Sequence, residues 1–178
     1  MPPSDKLALS NVNHSSTTRR VAIETHGCKL NQADSQSLAR EFTQAGYEVV
    51  ASGEQADVYV INTCTVTHIA DRKARGSIRS VRRQHPQALI VATGCYAERS
   101  PKELASLDGT DLVVGNREKT EIVRRVVELD GLAKPIEDHS ESIVYMGMSL
   151  RTRAMVKIQE GCNQVCAYCI VPRVRGRE

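Results

Sequence analysis

Residues 57–64, DVYVINTC, run apolar without a break from Val58 to Ile61. A half-buried strand alternates apolar and polar side chains, whereas a near-continuous apolar run of this length marks a strand covered on both faces. The stretch ALIVATGC (88–95) has the same character. Between the two the period changes. Val66, Ala70, Ala74, Ile78 and Val81 fall on one face of a helix predicted from about Val66 to Gln84, with Pro86 past its stop. Two doubly covered strands joined through a helix form a parallel pair.

The same alternation extends outward. RVAIETH (20–26) reads as a strand that stops at Gly27-Cys28, and YEVV (47–50) as a shorter one. Between them a helix is predicted over about Asn31–Ala45. Asn31 is its expected N-cap, Asp34 sits in capping-box spacing, and Leu38, Phe42 and Ala45 form its apolar stripe before Gly46. Downstream come a weak helix from Pro101 to Leu107, a strand DLVVG (111–115) and a helix REKTEIVRRVVEL (117–129), with Ile122, Val123, Val126 and Val127 inward. The fold class is therefore α/β, a flavodoxin-like doubly wound parallel sheet of order 2-1-3-4-5. The expected organisation is a disordered tail over 1–19, this domain over 20–130 and a polar linker over 131–142. The start of a second domain follows over 143–178, with strands IVYMGM and RAMVKIQ.

The composition bounds the function. With 40% hydrophobic and 25% charged residues the chain is globular, and with one Phe and no Trp its core is expected to be aliphatic. No segment approaches the ~18 apolar residues of a membrane span. The first twenty residues lack a secretory h-region, so no membrane partner and a cytoplasmic location are expected. A formal charge of +3 does not by itself imply nucleic acid.

Six cysteines in a reducing compartment point away from disulfides. Cys28, Cys64 and Cys95 each end an apolar strand (THGC, INTC, ATGC), so a parallel sheet sets all three at its carboxyl edge, where doubly wound folds bind ligands. Gly27 and Gly94 precede two of them and would admit backbone or an inorganic group at close range. Helix N-termini beside the cysteines favour negative charge. The alternatives are buried thiols acting as small hydrophobes, or zinc completed by His26 or His68. Cys162, Cys166 and Cys169 are spaced C-x3-C-x2-C, dense enough for three corners of one cubane. Three ligands leave one iron open, which suits a catalytic cluster better than an electron-transfer cluster with four.

That spacing, with Tyr168 before the third cysteine, resembles the signature of radical S-adenosylmethionine enzymes. More closely, GCNQVCAYCIVPRVRGRE, THGCKLNQADS, INTCTVT and TGCYA, together covering residues 20–178, resemble the methylthiotransferases of that superfamily. The resemblance implies two 4Fe–4S clusters, an auxiliary one on Cys28, Cys64 and Cys95 and a radical one on Cys162, Cys166 and Cys169. It further implies that S-adenosyl-L-methionine binds the open iron of the second and is cleaved by one electron, from a donor such as a flavodoxin or ferredoxin. Sulfur then leaves through the auxiliary cluster as a methylthio group. No catalytic residue outside the cluster ligands is assigned. Family members continue through a partial barrel and a β-domain, so the chain is expected to be part of a longer enzyme and inactive alone.

Cys28-Lys29-Leu30-Asn31 after Thr25-His26-Gly27 resembles the branch acting on N6-threonylcarbamoyladenosine beside the tRNA anticodon. The alternative branches act on N6-isopentenyladenosine in tRNA or on an aspartate of a ribosomal protein. A tRNA partner suits the basic face of the second helix, where Arg72, Arg75, Arg79, Arg82 and Arg83 are candidate RNA contacts; a solvated helix face is the plain alternative. Arg173, Arg175 and Arg177 are further candidates for cofactor or RNA. A non-catalytic iron–sulfur or zinc module is the competing class.

Overall fold

The structure is a computed structural model that describes residues 18–131 and 156–178. Its centre is a five-stranded, all-parallel sheet in the order β2-β1-β3-β4-β5, the order read from the sequence. The strands are β1 (Arg20–Thr25), β2 (Glu48–Val50), β3 (Val58–Thr63), β4 (Leu89–Gly94) and β5 (Leu112–Val114). Helices α1 (Lys29–Gln44), α2 (His68–Gln84), α3 (Cys95–Arg99), α4 (Pro101–Ala105) and α5 (Ile122–Asp130) connect and follow them.

The continuous apolar run of β3 is explained by two cores. Tyr59 and Ile61 pack with Ala22, Ile90 and Ala92 against Ala74, Ile78 and Val81 of α2 and Leu104 of α4. Val58 and Val60 pack with Val21, Val91 and Val114 against Leu38 and Phe42 of α1 and Ile122 and Val126 of α5. Successive side chains of a strand point to opposite faces, so the part of a strand between two helical layers, here Val58–Ile61, is apolar on both.

Several expectations need correction. The core is not purely aliphatic, because Phe42, Tyr47, Tyr59 and Tyr96 are also buried. Each tyrosine is accommodated by a partner for its hydroxyl: Tyr47 donates to Asp130, Tyr59 donates to the Glu54 carbonyl, and Tyr96 accepts from Arg75. Helix α1 begins two residues early, with Cys28 at its N-cap and no side-chain cap, so Asn31 lies inside the helix. Helix α2 is capped by Thr67, whose side chain accepts from the Ala70 amide, which leaves Val66 outside the helix and exposed. The predicted helix over 117–129 is a 3-10 helix, Asn116–Glu121, followed by α5. Arg19, just before β1, accepts at its carbonyl from Glu48 and reaches Asp57 and Asp130 with its guanidinium. Residues 156–159 of the predicted strand RAMVKIQ have no strand conformation. The rest of that strand, IVYMGM, the linker beyond Gly131 and residues 1–17 of the tail lie outside the described residues.

Candidate metal centre

The three strand-end cysteines lie at one edge. Thr63 of β3 is paired with Gly94 of β4, so Cys64 and Cys95 are the next residues on neighbouring strands. Cys28 caps α1 just past β1, and Gly27 beside it is so close to Cys64 that a Cβ there would lie 2.6 Å from the Cys64 Cβ. Cys64 and Cys95 are buried and Cys28 is exposed. The glycines admit close neighbours, and at Gly94 the neighbour is backbone, one of the two possibilities expected. At Gly94, with φ +94°, the space a side chain would need is held by the Thr63 carbonyl, 2.3 Å from the ideal Cβ position. Gly94 admits the neighbouring strand, and Gly27 admits the Cys64 side chain.

Polar side chains lock this edge. Asn31 donates to the carbonyls of His26 (2.7 Å) and Thr63 (3.0 Å). Asn62 donates to the Asn31 carbonyl and to Ser35, and Thr25 donates to Ser35. Asn31 is therefore a buried cross-link between strand ends rather than a cap. The weak Cys28 thiol contact to the Asn31 amide oxygen is 3.9 Å.

The segment that carries the other three cysteines packs on this edge. Its loop is closed at the base, where the Cys162 amide donates to the Gly176 carbonyl (3.1 Å), and within it the Cys169 amide donates to Cys166 (3.2 Å). A short helix α6 (Val171–Val174) follows, and the Val174 carbonyl accepts from Asn116 at 2.6 Å. The next residue, Arg175, is buried, so it is not available for RNA in the way the sequence suggested. It donates through Nη1 to Asp34 (2.5 Å), through Nη2 to the Asn31 oxygen, and through Nε to the Cys95 sulfur (3.2 Å). Asn116 also reaches that sulfur, at 3.6 Å.

Lys119 and Lys157 bind Asp34 at 3.1 and 3.2 Å, and both also bind Glu160. Lys119, Lys157 and Arg175 thus face Asp34 and Glu160, an excess of one positive charge, with Arg175 against the sulfur. Burial pushes the Asp34 carboxyl up, but Arg175 and Lys119 outweigh it and hold it below its ordinary range. Burial likewise opposes the charge on Arg175, and Asp34 and Cys95 outweigh it, so its pKa rises.

As donors the six thiols suit iron–sulfur chemistry in type, with three at one sheet edge and three on a closed loop of the segment packed against it. Among the described residues, however, no three His, Cys, Asp or Glu side chains converge tightly enough to hold a metal ion. His26 is engaged by Glu24 and Ser77, and His68 is exposed, so neither is drawn in as a zinc ligand.

The basic helix face divides. Arg75 bonds Tyr96 and Glu103, and Arg82 bonds Asp111 (2.5 Å) and the carbonyls of Pro86, Ala88 and Gly109. Both are held by partners within the chain and are only partly exposed. Arg72, Lys73, Arg79 and Arg83 remain exposed. The residues that the sequence reading missed, Asp34, Ser35 and Asn116, are buried and polar. Positions 31, 35, 38 and 42 continue the apolar stripe of α1 with two polar residues at its amino end, and that was the available signal.

Sheet order, strand-end cysteines and the C-x3-C-x2-C loop define an α/β protein with a thiol-bearing ligand edge. The chain belongs to the uncharacterized protein family UPF0004, whose model matches residues 20–115. It is 42% identical over 173 residues to the threonylcarbamoyladenosine tRNA methylthiotransferase MtaB of Aquifex aeolicus, covering 89% of this chain and 40% of that protein. It is also 42% identical over 164 residues to the MtaB of Bacillus subtilis, covering 88% of this chain and 36% of that protein. To the tRNA-2-methylthio-N(6)-dimethylallyladenosine synthase of Parabacteroides distasonis it is 33% identical over 173 residues, covering 92% and 38%. The chain therefore spans less than half the length of these curated relatives. No helix among the described residues is long and apolar enough to cross a membrane.

Proposed function

We propose that the intact protein is a radical S-adenosylmethionine methylthiotransferase that modifies N6-threonylcarbamoyladenosine in tRNA. The observation that carries this reading is the 42% identity, over 89% of the chain, to a relative named for that reaction. The thiol placement supports it. Cys28, Cys64 and Cys95 would hold an auxiliary 4Fe–4S cluster on the sheet domain of residues 20–130, and Cys162, Cys166 and Cys169 the radical cluster at the start of a second domain. When bound, the clusters and S-adenosylmethionine supply the electron transfer, hydrogen abstraction and sulfur delivery. The chain's own contribution is placement: Asn31, Asn62 and Ser35 fix the strand ends, and the Gly161–Cys162 pairing with Gly176–Arg177 closes the loop. A cytoplasmic reaction and a low-potential donor such as a flavodoxin or ferredoxin follow from the substrate and the chemistry.

The exposed first residue of α1 favours this substrate over the dimethylallyl one. Lys29 directly follows Cys28, is exposed, and has no acidic residue in that turn to pair with. A cation at a helix N-terminus is unfavourable by itself, and it suits a substrate bearing the free carboxylate of a threonyl group. The test is to incubate the reconstituted intact protein with S-adenosylmethionine, a reductant and tRNA carrying either nucleoside, then digest and weigh the nucleosides. Methylthiolation of the threonylcarbamoyl nucleoside alone is expected, weakened in Lys29→Met. Conversion of the dimethylallyl nucleoside instead would overturn the substrate, and S-adenosylmethionine left uncleaved would overturn the radical chemistry.

A further inference from the structure

We propose that Arg175 is a positioning residue that latches the segment carrying Cys162, Cys166 and Cys169 onto the sheet edge and fixes a positive charge against the Cys95 sulfur. This rests on the proposed function only where clusters are concerned; the latch itself is a property of the chain.

Three observations carry it. The Arg175 side chain is 2% exposed and its Asp34 partner 5% exposed, although they stand 141 residues apart. One guanidinium bridges three elements at once, α1 through Asp34 and Asn31, the β4–α3 junction through Cys95, and its own segment through Glu160 at 3.3 Å. The neighbouring contacts run the same way: Asn116 holds the Val174 carbonyl, and Lys119 of the 3-10 helix holds Glu160. A buried guanidinium is costly unless its fork is filled, and Arg175 fills it with two carboxylates, an amide oxygen and a sulfur. Hydrogen bonds and charge at a ligating sulfur are among the terms that set an iron–sulfur potential. The same contact would therefore tie the position of the second cysteine trio to the electronic state of a ligand of the first.

The test uses the intact protein with Arg175→Gln, Arg175→Lys and Asp34→Asn. In the metal-free protein, amide hydrogen exchange is followed in residues 156–178 and in β3 and β4. Exchange in 156–178 is expected to rise by about tenfold or more in Arg175→Gln and in Asp34→Asn, with the strands unchanged. The double variant should open the segment by less than the sum of the two single effects, because the shared Arg175–Asp34 contact is lost only once. In protein loaded with the auxiliary cluster alone, its potential should move negative in Arg175→Gln and be restored in part by Arg175→Lys. Unchanged exchange in both single variants would overturn the latch. Raised exchange with an unmoved potential would overturn the charge role and leave a structural contact. If Arg175→Gln loses the sheet protection altogether, the isosteric Asp34→Asn, which keeps the arginine, decides. A protein that takes up no cluster would contradict the proposed function, while the exchange result would still stand.

Discussion

Gly94 shows how little freedom the ligand edge has. It has φ +94°, and a Cβ would lie 2.3 Å from the Thr63 carbonyl and 2.7 Å from the Thr63 nitrogen, atoms of a central strand that cannot retreat. Gly94→Ala is therefore expected to destabilise the protein by about 2–4 kcal/mol in denaturant unfolding. Gly46→Ala, also at positive φ but in open space, should cost only about 1 kcal/mol. Equal losses would show that the edge yields. Asp34 gives a pH dependence. Its folded pKa lies below the ordinary carboxyl value, so the unfolded chain binds its proton first as pH falls. The stability it contributes is complete above about pH 4–5 and is lost as pH falls through the folded value. Wild type and Asp34→Asn should thus differ in unfolding free energy at pH 6 and converge toward pH 2; a constant gap would remove the ion pair as its source. Neither Asp34 nor Asn31 was legible in this role. Asn and Asp near a helix start are the letters of a cap, and a partner 141 residues away leaves no local pattern.

At the scale of elements, the five strands and their order were readable because each layer imposes a period. Burial on both faces makes β3 and β4 continuous, and one-sided burial gives α1 and α2 their stripes. What the period does not report is which charged residues on an outer face find partners through the turns. Arg75 and Arg82 looked the same as Arg72, Arg79 and Arg83 in sequence, yet the first two hold Glu103 and Asp111. This separates two classes of variant. Changing Arg72, Arg79 and Arg83 together to Gln should weaken tRNA binding, and should lower the slope of log affinity against log salt by roughly two to three, without changing stability. Arg82→Gln should lower stability and leave that slope intact. An unchanged salt slope in the triple variant would return this face of α2 to an ordinary solvated surface.

At the scale of the molecule, the segment that carries the second cysteine trio packs on the edge that carries the first, although the sequence separates the trios by more than sixty residues. The first trio was legible because parallel strands share a direction, and the second because its spacing is local. The packing of that segment on the edge was not legible, since it depends on Arg175 and Asn116. The central claim is that the six thiols hold two independent clusters. It is tested most directly by iron and acid-labile sulfide per chain in the anaerobically reconstituted intact protein, and in the variant with Cys28, Cys64 and Cys95 all changed to Ala. The expected result is about eight irons with matching sulfide, falling to about four in the variant. About four in both would make the first three cysteines structural, and zinc without sulfide would contradict the radical reading outright.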